Sequence, residues 1–95
     1  MDYNEINTSI INYLRPYNPE RIGIFGSFAR REHTPASDID ILVKFRKTIS
    51  LLDLAKIHRE LSQILGREID LVTEASLKNE RLKTYIYNDL KVIYE

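Results

Sequence analysis

Between Asn4 and Leu14 the apolar residues Ile6, Ile10, Ile11 and Leu14 recur at helical spacing, which predicts an amphipathic first helix. Pro16 and Pro19 stop it and set up a turn. The apolar run from Arg21 to Phe25 reads as a strand, and Phe28 to Glu32 as the start of a short helix. The segment 33–37 is a loop, because Pro35 disfavours helix at Thr34. A second strand, rich in β-branched residues, spans Asp38 to Phe45. After a polar turn, Ser50 caps a long helix with Asp53 in the capping-box position, and Leu54, Ile57, Leu61, Ile64 and Leu65 carry one stripe to a stop at Gly66. Arg67 to Thr73 is a third strand, with Glu68 and Asp70 on one face and Ile69 and Leu71 on the other. Ser76 or Thr73 caps a last helix over Leu77 to Asp89, with Leu82, Tyr85 and Ile86 inward, and Val92 to Tyr94 reads as a terminal strand. This alternation of elements predicts an α/β fold, one sheet with helices packed on it.

Ninety-five residues suit one domain, residues 1–95, with a modest core. Fourteen basic residues balance fourteen acidic ones, so bulk charge makes no case for binding nucleic acid or a membrane surface. The absence of cysteine removes disulfides and thiolate metal sites. No apolar run approaches a membrane span, and the first residues lack the basic and apolar regions of a signal peptide; a soluble, cytoplasmic protein is the expectation. Its oligomeric state stays open. His33 and His58 are too isolated to suggest a zinc site, and Tyr85 and Tyr87 cannot share one helix face.

Chemistry concentrates between Arg21 and Phe45. An apolar strand ending in Gly26-Ser27 and leading into a helical turn suits phosphate binding, since glycine lets backbone N–H groups approach an anion closely. Asp38 and Asp40, two apart, fall on one strand face and repel each other unless a cation intervenes. Asp70 lies centrally in the next strand, and consecutive strands are often sheet neighbours, so three carboxylates are expected to converge. Hard divalent cations such as Mg²⁺ prefer such oxygen donors, with water and substrate phosphates completing the shell. Two metals about 3.5–4 Å apart would serve an in-line phosphoryl displacement. In that scheme Asp38 and Asp40 hold metal, while Asp70 ligates the catalytic metal and helps to deprotonate the attacking hydroxyl. Gly26 and Ser27 hold the triphosphate, Arg30 (and Arg31) reach a phosphate, and Ser37 orients a carboxylate or a water. Taken singly, Gly-Ser is more often a plain turn, and either arginine a solvated helix residue.

The combination G26-S27-F28-A29-R30 followed by S37-D38-I39-D40-I41-L42-V43, with a third acid in R67-E68-I69-D70-L71-V72, resembles the signature of the DNA polymerase β-like nucleotidyltransferases. More narrowly it resembles the minimal nucleotidyltransferases (MNT), over nearly the whole chain. That resemblance implies a small mixed sheet, ATP as AMP donor, Mg²⁺, and catalytic or metal roles for Asp38, Asp40 and Asp70. It also implies a partner: these proteins accompany HEPN-domain RNase toxins, which they neutralise as antitoxins by transferring AMP to a toxin tyrosine. Neutralisation by binding alone is the alternative. The chain departs from the family pattern at Arg31, where members often carry glycine.

Overall fold

The isoleucine-rich strands sort into one four-stranded mixed sheet. The computed structural model describes residues 1–95. Helix α1 (Tyr3–Leu14) and a 3₁₀ turn (Arg15–Tyr17) lead into β1 (Pro19–Phe25), followed by the short α2 (Gly26–Ala29) and β2 (Ile39–Phe45). Then come α3 (Leu51–Leu65), β3 (Ile69–Thr73), a 3₁₀ turn (Glu74–Ser76), α4 (Glu80–Asp89) and β4 (Lys91–Tyr94). The sheet order is β3-β2-β1-β4. β1 is antiparallel to both β2 and β4, whereas β2 and β3 are parallel. A parallel neighbour cannot be reached through a hairpin, and α3 supplies the crossover.

Local chemistry fixes the helix ends. Asp2 Oδ1 accepts from the Glu5 N–H at 2.8 Å while Glu5 accepts from the Asp2 N–H at 3.3 Å, a reciprocal cap on α1. Ser50 Oγ accepts from the Asp53 N–H at 3.1 Å to start α3, and Gly66 ends that helix at φ 69°, a left-handed turn that glycine adopts freely.

Strand alternation then gives the sheet two different faces. Ile22, Ile24, Ile39, Ile41, Val43 and Ile69 point to one side, where Ile6, Ile10 and Leu14 of α1 and Ile57, Leu61 and Leu65 of α3 cover them. Phe25 and Leu42 point to the other side and pack with Leu77 and Ile86, partly covered by Val72 and Leu90. Only α4 lies on this second face. Its middle is therefore apolar, and both of its ends are left open.

Two expectations need correction. The short helix begins at Gly26 rather than Phe28 and is over by Ala29. The last helix begins at Glu80, capped by the Asn79 side chain, which accepts from the Arg81 and Leu82 N–H groups at 2.9 and 3.2 Å; neither Thr73 nor Ser76 caps it. Leu77 stays outside the helix because its side chain is buried beside Phe25 and Leu42. Nor do Leu82 and Tyr85 face inward: they are 45% and 51% exposed. Ile86 is the one fully buried residue of the helix, with Leu90, just past its end, packed against the same cluster. Tyr85 and Tyr87 are both exposed.

The asymmetry between the apolar faces gives a stability test. Leu61 is fully buried between α3 and the sheet, whereas Leu52, on the same helix, is 85% exposed. Leu61→Ala should lower the unfolding free energy by about 2–5 kcal/mol. Leu52→Ala should stay within about 0.5 kcal/mol of wild type in the same urea titration. Equal losses would show that α3 does not pack as described.

Candidate active site

β1 delivers the chain to Gly26, which turns out of the strand with φ 74°. Phe25 pairs with Asp40 across the antiparallel ladder, so the Asp40 carboxylate comes to rest against the Gly26 backbone. A side chain at position 26 would overlap Asp40 Oδ2 and sit 3.1 Å from its Cγ. Two independent constraints, a left-handed φ and the absence of space, therefore require glycine here. Ser27 follows in the first turn of α2, half-buried, where backbone N–H groups have no partner within the helix.

Asp70 is the direct ladder partner of Asp40 in the parallel β2/β3 pair. Partners in a ladder share a face, so both carboxylates stand on the α4 side of the sheet, beyond the apolar patch of Phe25 and Leu42. Asp38 is exposed and lies one residue ahead of β2. Burial, reinforced by the negative charges of Asp70 and then Asp38, pushes the Asp40 carboxyl up to about 6, against an opposing pull from Arg30. The acids feel one another without closing on a common point, for no three acidic or imidazole side chains form a ready-made ion cage. An all-oxygen donor set that is open and mutually repelling fits a hard divalent cation completed by water and substrate phosphates better than a protein-only cage.

The remaining predicted residues are committed elsewhere in this state. Arg30 donates to Asp89 at 2.7 Å and to Glu32 at 3.1 Å, and these carboxylates hold its guanidinium even more firmly charged than usual. A phosphate at Arg30 would have to compete with Asp89. The Ser37 hydroxyl accepts from the Thr34 N–H at 2.9 Å, and the Ser37 carbonyl accepts from Arg67 at 3.4 Å. Ser37 thus shapes the loop that leads into Asp38.

Several supporting residues had no legible signal. The His33 ring packs 4.4 Å from that of Phe28, with its Nδ1 2.8 Å from the Tyr3 hydroxyl. Arg31, at φ 61°, lays its guanidinium 4.0 Å over the Tyr3 ring. His58 Nε2 donates to the Ile69 carbonyl at 3.0 Å, pinning the edge strand one residue before Asp70. Asp89, the partner of Arg30, lies fifty-nine residues away from it, a separation that no motif spans.

Two measurements follow from this geometry. Asp40 ionises at about 6 in the folded chain, against 3.8 ordinarily, so folding favours its protonated form. That contribution is complete below pH 3.8 and is lost as pH rises through about 6. Allowing for its partial solvent exposure, it amounts to on the order of 1 kcal/mol. Across this window the unfolding free energy of wild type should fall relative to Asp40→Asn; a constant difference would count against the coupling. At Arg31, glycine relieves a left-handed strain of about 1–2 kcal/mol but loses a cation–π contact of about 0.5–1 kcal/mol and gains unfolded-state freedom. Arg31→Gly should therefore be nearly neutral in chemical denaturation and Arg31→Ala clearly destabilising. The reverse order would exclude strain at this position.

Comparison with known proteins agrees with this geometry. The family described as "Polymerase beta, Nucleotidyltransferase" matches residues 8–95. A Methanocaldococcus jannaschii chain, provisionally named a protein adenylyltransferase, is 45% identical over 89 residues, 94% of this chain and 95% of its own. Protein adenylyltransferase MntA of Thermococcus cleftensis is 40% identical over 70 residues, 74% of this chain and 71% of its own. The crystal structure of a toxin–antitoxin with AMP-PNP aligns with a TM-score of 0.83 at 26% identity, over 93% of this chain and 72% of that one. A strand–Gly-Ser–helix turn packed on an aspartate pair, in a chain matched almost throughout its length, places this protein in the polymerase β family of nucleotidyltransferases, among its minimal members.

Proposed function

We propose that this chain is a Mg²⁺-dependent protein adenylyltransferase that transfers AMP from ATP to a hydroxyl, tyrosine first, of a HEPN-family RNase toxin, and so acts as its antitoxin. The observation that carries the reading is the juxtaposition of Gly26 with Asp40, and of Asp40 with Asp70, on one sheet face. A phosphate-binding turn and a carboxylate pair serve nucleotidyl transfer only when adjacent. The names of relatives support the direction of transfer: two are called protein adenylyltransferases, and a neighbouring fold was solved as a toxin–antitoxin with AMP-PNP, an ATP analogue.

In this reading Asp38, Asp40 and Asp70 are the residues that would hold Mg²⁺. When bound, the metal supplies charge for the developing phosphoryl oxygens and acidifies the attacking hydroxyl. The chain's own groups do the rest. Gly26 and Ser27 direct backbone N–H groups at the β- and γ-phosphates and so hold the departing pyrophosphate. Asp70, more exposed than Asp40, helps to take the proton of the incoming hydroxyl. The acceptor oxygen bonds to the α-phosphorus as the bond to pyrophosphate breaks. Arg30 stands near enough to Asp40 to moderate its charge, and it reaches phosphate on leaving Asp89.

The test is incubation of the full chain with ATP, Mg²⁺ and a HEPN-family RNase toxin, followed by intact-mass analysis and an RNase assay. Wild type should make the toxin heavier by AMP units and silence it. Asp40→Asn keeps the shape but removes a ligand charge, which should lower transfer by about 100-fold or more. Arg30→Ala should lower it less. A toxin silenced equally well by Asp40→Asn, with no gain in mass, would replace this reading with neutralisation by binding alone.

A further inference from the structure

At the end of the α4 face away from Asp40, the structure has a cavity of about 490 Å³ between the end of β2, the start of α3 and α4. Lys44, which lines it, follows Asp40 by four residues on β2, about 13 Å of extended strand. This volume falls within the range of small-molecule pockets, about 300–1,000 Å³. Its lining is chemically mixed: Phe45, Ile49 and Leu54 are apolar, while Lys44, Arg46, Lys47 and Lys83 are cationic.

Four cations around one cavity stand out in a chain whose formal net charge is zero. The acids nearby offset them only in part. Glu74, the acid in the lining, is committed to Arg21 through hydrogen bonds of 2.6, 2.8 and 3.0 Å and accepts from the Tyr87 hydroxyl at 2.8 Å. Glu20 pairs with Lys44 at 2.8 Å and reaches Arg46 only at 3.8 Å. Lys83 has a single long contact of 3.7 Å with an exposed Glu80, and Lys47 takes part in no ion pair. Lys47, which has no ion pair, and Lys83, held only by the long contact to Glu80, leave positive charge at the cavity that an anion would complement. Lys83 and Tyr87, four residues apart on one face of α4, both line the cavity, as do Thr48 and Thr73.

We propose that this cavity is a second binding site, separate from the Asp38–Asp40–Asp70 face, for a phosphorylated small molecule of mononucleotide size. Its phosphate lies toward Lys47 and Lys83, and its planar, apolar part lies against Phe45, Ile49 and Leu54. A cavity of this volume whose lining is both cationic and apolar suits a small molecule that carries a phosphate and an apolar part.

The test is a ¹H–¹⁵N NMR titration of the full chain, without divalent cation and in dilute salt, using AMP in one series and inorganic phosphate in another. AMP should move the amides of Lys47, Thr48 and Thr73 saturably, with a midpoint independent of that seen at Gly26 and Ser27. Inorganic phosphate should saturate the same amides at least about tenfold more weakly, because it leaves the apolar residues uncovered. Lys47→Glu combined with Lys83→Glu reverses two charges at the cavity, and thermal unfolding checks its fold. It should weaken the AMP response at Thr48 and Thr73 by about tenfold or more while the Gly26 and Ser27 responses keep their wild-type midpoint. Shifts confined to Gly26 and Ser27, a linear response at Thr48, equal midpoints for AMP and phosphate, or a double variant that titrates like wild type would each overturn the proposal.

Discussion

The candidate site depends on one contact, the Asp40 carboxylate lying against the backbone of Gly26. It joins two pieces of the chain that do different chemistry, a turn suited to phosphate and a strand end suited to a cation. The antiparallel pairing of Phe25 with Asp40 sets their spacing, and the missing side chain at Gly26 lets them touch. Such a site opposes its own folding, because crowding and burial disfavour the ionised Asp40. The same strands offset that cost on their other face, where Ile39, Ile41 and Val43 are fully buried beneath α1 and α3. Since neighbouring residues of a strand point to opposite sides, each residue of β2 serves either stability or chemistry.

α4 connects the two ends of the chemically active face. Ile86 and Leu90 cover the apolar centre. At one end Asp89 holds Arg30 beside the phosphate turn, and at the other Tyr87 helps to hold Glu74 against Arg21. The Arg21–Glu74 pair is bidentate and partly shielded from solvent, the geometry in which ion pairs fix position as well as contribute energy.

Much of this was legible in the sequence because local rules and the fold agree. Helical periodicity marked α1 and α3, β-branched runs marked β1 and β2, and the acid at every second residue placed Asp40 and Asp70 on one side. What failed was α4. Apolar Leu82 stays 45% exposed, and Ile86 is the one fully buried residue of the helix, so a reading that sends every apolar residue inward rotates the helix wrongly. Long-range polar pairs were equally silent. Nothing near Arg30 in sequence announces Asp89, and nothing near Tyr3 announces His33. Such contacts are made by topology, and spacing along the chain carries no trace of them.

Arg31 shows how topology absorbs a local conflict. Its φ of 61° suits glycine, and a β-carbon there strains the backbone. The side chain that causes the strain also answers it, because the guanidinium lies over Tyr3, itself tied to His33, whose ring packs on Phe28. Phe28 is almost wholly buried and belongs to α2, the four-residue helix that carries Ser27. A helix that short has little stability of its own, since nucleation fixes several residues for few hydrogen bonds. Its position must come from outside, and the stack running from Arg31 through Tyr3 and His33 to Phe28 supplies it from α1. Arginine in place of glycine at position 31 therefore exchanges backbone freedom for a brace. The brace lies on the α1 side of the turn and leaves the Asp40 side open to a ligand.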